Sequence, residues 1–192
     1  ADFHAHQAIE RTPLELQHSH GRIFNMPPPT QGLVSLMILG IMDRLAGSNA
    51  DHLSADYVHS GVEAVKQAFK VRDQHITDPL HMSVDPSSFL RTDALDDMAD
   101  AIEPQVAAAW GQGKGPADTV WMGVIDSQGN AVSMIQSIYH EFGSGIVLAG
   151  TGVNWQNRGA SFSLDPDHIN FLRPGKKPFH TLNPALAHLN DG

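Results

Sequence analysis

The sequence predicts an α+β fold, with a helical first half and a β-rich second half. Apolar residues recur at helical spacing in three stretches between residues 30 and 104, and two apolar runs flank a Gly/Asn/Asp turn between 119 and 139. Helices followed by strands form the α+β pattern.

Arg22-Ile23-Phe24-Asn25 is a short strand, ended by Pro27–Pro29. Proline fixes φ and cannot donate to a ladder, so these three residues form an extended, rigid connector. Thr30 caps a helix whose apolar positions are Leu33, Leu36, Met37, Gly40, Ile41 and Leu45, and Gly47 ends it. Ser54 or Asp56 starts a second helix, with Val58, Val62, Val65, Phe69 and Ile76 as its apolar face. Asp85-Pro86 pairs a cap with proline at the first helical position and opens a third helical region. Leu95, Met98 and Ile102 are its stripe, and Pro104 interrupts it. These stripes are core.

Thr119, with Asp118 before it, follows the flexible run Gly111-Gln112-Gly113-Lys114-Gly115-Pro116-Ala117 and begins the strand Val120-Trp121-Met122-Gly123-Val124-Ile125. The turn Asp126-Ser127-Gln128-Gly129-Asn130 then leads into Ala131–Tyr139. If Ile125 and Ala131 close the hairpin, Gly123 faces Ser133, Trp121 faces Ile135, and Thr119 faces Ser137. Opposed Cβ atoms stand about 4.5–5.5 Å apart, so Ser137 would bring a second hydroxyl to Thr119. Cleavage before Thr119 would give one residue both a hydroxyl and a free α-amine. That amine titrates at roughly pH 7.7–8.0, so it can serve as the base for its own hydroxyl. A threonine after a glycine-rich loop can equally be an ordinary strand start.

The stretch Thr119–Tyr139, with Phe142-Gly143-Ser144-Gly145-Ile146-Val147 and Gly150-Thr151-Gly152-Val153, resembles the start of the small subunit of γ-glutamyltranspeptidases. Arg173-Pro174-Gly175-Lys176-Lys177-Pro178-Phe179-His180-Thr181-Leu182-Asn183-Pro184 is similar to a later part of it. Asn25-Met26-Pro27-Pro28-Pro29-Thr30-Gln31-Gly32, Arg72-Asp73 and Asp78-Pro79 resemble the late large subunit. The likeness runs from about Leu14 to Asn190.

The resemblance implies part of a four-layer αββα sandwich of the N-terminal-nucleophile class. Residues 1–118 would be the end of the large-subunit region and 119–192 the start of the small one, together one partial domain. It implies self-cleavage between Asp118 and Thr119, with Thr119 and Ser137 catalytic. The activity implied is hydrolysis or transfer of a γ-glutamyl or related acyl group, as in glutathione metabolism. The acceptor is an amino acid, a peptide or water, and neither an organic cofactor nor a metal is needed. The family's oxyanion-hole Gly-Gly pair and its carboxylate-gripping arginine fall outside this stretch, so the chain alone is expected to be inactive.

The substrate-binding positions depart from the family pattern. Where members carry Asn-Asn-Gln and then an acidic residue for the donor ammonium, this sequence has Gln156-Asn157-Arg158-Gly159-Ala160-Ser161. Arg158 takes the Gln position and Ser161 the acidic one. Tyr139 stands where an Asn contacts the donor, and His180-Thr181 replaces a Ser pair. An anion is lost and a guanidinium gained, which favours acyl groups bearing a carboxylate, as in a glutaryl-type acylase.

At 192 residues, 41% hydrophobic and 17% charged, the chain can bury one core. Its formal charge of −9 argues against nucleic acid as a partner. No apolar run approaches the roughly 20 residues that span a bilayer. Leu33–Leu45 is short and interrupted by Gly40, Asp43 and Arg44. Zero cysteines exclude disulfides and a thiol nucleophile, and fit the cytoplasm or a periplasm alike.

Two other classes compete with the enzyme. Twelve histidines, including the pairs His4-Ala5-His6 and His18-Ser19-His20, raise metal binding, although neither pair has an obvious third ligand. A non-catalytic assembly module is the other, since apolar surface and open strand edges would promote self-association.

Overall fold

The computed structural model describes residues 2–5, 7–46, 51–111 and 119–191, with the side chains of 2 and 3 excepted. The elements in order are α1 (Asp2–Ala5), β1 (Leu14–His18), β2 (Gly21–Asn25), α2 (Gly32–Ala46), α3 (Ala55–His75), α4 (Thr92–Asp100), β3 (Val120–Ile125), β4 (Ala131–Gln136) and β5 (Leu186–Leu189). Short 3-10 turns cover Pro79–His81, Pro86–Leu90 and Arg158–Ser161. The fold is α+β, as the periodicities predict.

Helix α2 is the centre. Leu33, Val34, Leu36, Met37 and Ile41 have no exposure at all, and the helix packs on α3, α4, β1 and β2. Its entry is stitched by Thr30, whose hydroxyl donates to the Met26 carbonyl at 3.0 Å and accepts from the Gly32 N–H at 3.0 Å. The glycine is required there. A Cβ on Gly32 would overlap the Met26 carbonyl oxygen and sit 2.9 Å from Met26 N. Gly32→Ala is therefore expected to cost about 1–3 kcal/mol in thermal unfolding. Gly61, mid-helix with nothing within 4 Å of its Cβ position, is the control, and Gly61→Ala should stabilise slightly. Equal effects of the two would overturn this account. The predicted stop at Gly47 lies outside the described residues.

The predicted face of α3 holds at its end, where Phe69 packs against the core and Ile76 is fully buried, and needs correction at its start. Ser54 does cap the helix, accepting from the Tyr57 N–H. Val58 and Val62, however, are 57% and 50% exposed, while Glu63, Ala64, Gln67 and Ala68 are buried. Helical spacing selects a stripe, but two stripes share it here. The one with alanines at 64 and 68 is buried against the core, and its small side chains leave room for a neighbouring helix. The third helical region splits into the Pro86–Leu90 turn and α4, with Leu95 and Ile102 buried as expected.

The β3–β4 hairpin adopts the predicted register. Ile125 faces Ala131, Gly123 faces Ser133 and Trp121 faces Ile135. Asp126 builds the turn, its carboxylate accepting from the Gln128 and Asn130 N–H groups and the Asn130 amide. Both faces of β3 are exposed. A second sheet, β1–β2–β5, joins the two ends of the chain, pairing Gly21 with Leu189 and Phe24 with Leu186.

Candidate active site

Ser137 and Tyr139 follow β4 directly. Tyr139 has a positive φ of 83°, an unfavourable conformation for a bulky residue. The Ser137 hydroxyl supports it by accepting the Tyr139 N–H at 2.9 Å. Asn157 secures the same turn from outside, its amide oxygen accepting the His140 N–H at 3.0 Å while its own N–H donates to the Ile138 carbonyl.

Arg158 opens the next 3-10 turn and is 7% exposed. Its guanidinium lies 4.4 Å from the Tyr139 ring centroid, a cation–π contact, and Nη1 donates to Thr181 Oγ1 at 3.5 Å. Nη2 is buried without a hydrogen-bond partner among the described residues. Ser161 Oγ and His180 Nδ1 are buried and unpartnered too. Burial works against the cationic form of Arg158, which an arginine nonetheless keeps. Burial, with Arg158 adding repulsion, pushes His180 down to about 4. The backbone of His180 is tied to Pro29, whose carbonyl accepts its N–H at 3.1 Å.

Tyr139, Asn157, Arg158, Ser161, His180 and Thr181 thus come together from three separate stretches of chain. Tyr139, Ser161 and Thr181 line a cavity of about 840 Å³, together with Phe69, Arg72, Trp110 and Phe179. The sequence does not mark the aromatic wall as such: Phe69 reads there as a core position of the second helix, Phe179 as part of a family-like stretch, and Trp110 carries no local signal. Thr119 is exposed beside β3 and is not among the residues lining this cavity. The paired ladder ends at Val120 and Gln136, and Thr119 and Ser137 make no hydrogen bond to one another; Ser137 Oγ accepts instead from the Tyr139 N–H. Asp118 lies outside the described residues.

His180 gives a pH signature. Its folded value of about 4 lies below the ordinary 6.5, so the unfolded chain binds the proton more readily between these limits. Stability contributed here is complete above about pH 6.5 and declines as pH falls towards 4. His180→Gln should flatten the melting temperature against pH across that window. An unchanged profile would place the buried neutral imidazole elsewhere.

Among the described residues no group of three or more His, Cys, Asp or Glu could hold a metal ion. His18 and His20 stack at 5.5 Å, and His18 Nε2 approaches Asp43 at 3.6 Å. His6 lies outside the described residues. No described helix is long and apolar enough to cross a membrane.

The helical core, the hairpin and the polar cluster after it are parts of one known protein family. The family model described as Gamma-glutamyltranspeptidase matches residues 1–192, and the chain belongs to that family. It is 61% identical, over all of its length and 36% of the relative's, to the oxamate amidohydrolase proenzyme of Klebsiella pneumoniae. A glutathione hydrolase-like proenzyme of Bacillus subtilis is 38% identical over 97% of the chain and 35% of that protein. In structure the chain is similar to a cephalosporin acylase from Bacillus halodurans, with a TM-score of 0.81 and 37% identity over 94% of this chain and 32% of that one. The chain spans about a third of the length of the relatives it matches.

Proposed function

We propose that the chain is the processing-site region of an N-terminal-nucleophile amide hydrolase or acyltransferase, acting on amides whose acyl part bears a carboxylate. The observation that carries this reading is Arg158, a buried guanidinium whose Nη2 has no hydrogen-bond partner and which pairs with no carboxylate among the described residues. An unpaired buried charge is costly, and an incoming carboxylate relieves it. The name of the Klebsiella relative supports the same chemistry, since oxamate places a carboxylate directly beside its amide.

In this reading the Thr119 hydroxyl adds to the Asp118 carbonyl carbon and displaces the Thr119 amide nitrogen. Water hydrolyses the resulting ester, leaving an Asp118 carboxylate and a free Thr119 amine. That amine then takes the proton of its own hydroxyl, whose oxygen attacks the substrate amide. The amine of the substrate departs with the proton, and the acyl group remains as an ester on Thr119. Water completes hydrolysis, whereas an amino acid or peptide amine completes transfer. Ser137 acts by holding Tyr139 over Arg158. No organic cofactor or metal enters these steps.

By itself this stretch is inactive, and the exposed apolar residues of the hairpin, such as Trp121 and Val124, favour its self-association. The two segments flanking the Asp118–Thr119 bond act as one unit, supported by β2–β5 pairing and the Asp78 carboxylate accepting the Lys177 N–H at 2.7 Å. The test uses the full-length protein. Oxamate and glutaryl anilide should be turned over in preference to γ-glutamyl anilide. A clear γ-glutamyl preference would instead support the glutathione-type activity named for other relatives.

A further inference from the structure

Taking the cleavage before Thr119 from the reading above, we propose that α3 is the docking surface for the chain end which that cut creates. Its Glu63–Lys66 pair clamps Ala108, so the cut frees only the residues beyond Gly111 and leaves residues 103–111 seated on the helix. This stretch has no helix or strand, and Ala108 is its only residue that is not exposed. It runs alongside α3 in the direction of the helix. His59 Nε2 lies 3.0 Å from the Glu103 carbonyl oxygen, Glu63 and Lys66 meet Ala108, and the Phe69 and Trp110 ring centroids stand 6.0 Å apart.

The grip is concentrated on one residue. Glu63 and Lys66 form an ion pair, with side chains only 3% and 11% exposed. Glu63 Oε2 accepts the Ala108 N–H at 3.3 Å, and Lys66 Nζ donates to the Ala108 carbonyl at 2.7 Å. Both backbone groups of Ala108 are thereby satisfied. A buried ion pair adds little net stability, but losing one partner strands the other charge, so the clamp closes or opens as a unit.

The clamp matters most after cleavage. In the uncut chain the next anchor is Val120 in the β3 ladder, so without the clamp the loop before β3 would grow from residues 109–119 to residues 104–119. Closure entropy rises only with the logarithm of loop length, and this change alters the closure equilibrium less than about twofold. Once the bond is cut, no downstream anchor remains. Residues 103–111 would then keep only the exposed Trp110 ring contact and the His59 contact. Their departure would remove Trp110 and Gly111 from the cavity that Tyr139, Ser161 and Thr181 also line.

Carboxypeptidase Y, applied to the cut full-length protein, should trim the piece that ends at Asp118 back to about Gly111 and stop, as read by mass. In Lys66→Met the Glu63 carboxylate loses its partner and leaves its buried place, and trimming should run on to about Ile102, the next buried residue. Ala108→Pro removes the N–H that Glu63 accepts without touching the helical core, and should extend trimming in the same way if Lys66→Met does not fold. Trimming past Ala108 in the wild type, or no further trimming in a folded variant, overturns the proposal. Amide exchange separates the clamp from the cleavage reading. In uncut Thr119→Ala protein the Ala108 amide should exchange at least about tenfold more slowly than those of Ala107 and Ala109, and equal rates overturn the clamp. A wild-type protein that stays whole before Thr119 overturns the cleavage reading, and with it the docking of a severed end, while the Ala108 amide still judges the clamp.

Discussion

Replacing Thr119 with alanine in the full-length protein is expected to leave a single uncut polypeptide with turnover at least about 10³-fold below wild type. Both losses have the same cause. In the proposed mechanism, cleavage needs a hydroxyl to add to the Asp118 carbonyl, and turnover needs that hydroxyl again beside a free amine. Thr119 is exposed at the entry to β3 and is not part of the core, so the variant should melt with the wild type. Intact mass reads the first effect and a substrate assay the second. Thr119→Ser retains the hydroxyl and should recover part of each. Ser137→Ala should slow turnover without abolishing it, because the hydroxyl supports the Tyr139 turn rather than the acyl bond. Scission persisting before residue 119 in Thr119→Ala, or undiminished turnover, would remove Thr119 from the mechanism.

How far the sequence reaches depends on what kind of signal each element carries. The β3–β4 register was legible because two alternating runs meet at Asp126–Asn130, a turn that leaves one sensible closure. Helix α2 was legible because nearly every position of its stripe is apolar. Helix α3 was legible in extent and cap but only in part in orientation, with Phe69 and Ile76 turned to the core as read. Its large apolar residues at 58 and 62 face outward, while Glu63 is buried because Lys66 and Ala108 satisfy its carboxylate. Periodicity cannot see a partner 45 residues away. Strands β1 and β5 are short and pair through β2 across the chain's length, so neither carries a local signature. The family likeness picks out 139, 158, 161, 180 and 181 as departures, and the fold brings these positions near one another. The wall of Phe69, Trp110 and Phe179 was not legible as a wall, because only the fold brings those rings to one cavity.

Arg158→Gln carries the second large expected effect: a fall of about 10–100-fold in kcat/KM for amides whose acyl part bears a carboxylate and no ammonium group, mainly through KM, in the full-length enzyme. A charge-assisted hydrogen bond is worth roughly twice a neutral one. Glutamine keeps hydrogen-bonding groups but removes the charge and the planar fork. The guanidinium also sits where no anion among the described residues offsets it, with Tyr139 beneath and Thr181 accepting from Nη1. An α-ammonium group brought to this place meets a buried cation and the neutral Ser161, so γ-glutamyl donors are disfavoured by repulsion as well as by a missing partner. Removing the cation should therefore narrow the gap from both sides, lowering glutaryl turnover while γ-glutamyl turnover holds or rises. Ser161→Asp is the sharper companion. Its carboxylate would neutralise Arg158 from within the same turn, closing the site to substrate carboxylates and supplying an anion for an ammonium group. If Arg158→Gln and Ser161→Asp both leave the glutaryl-to-γ-glutamyl ratio where it was, Arg158 does not select the acyl group and its buried charge serves the fold alone.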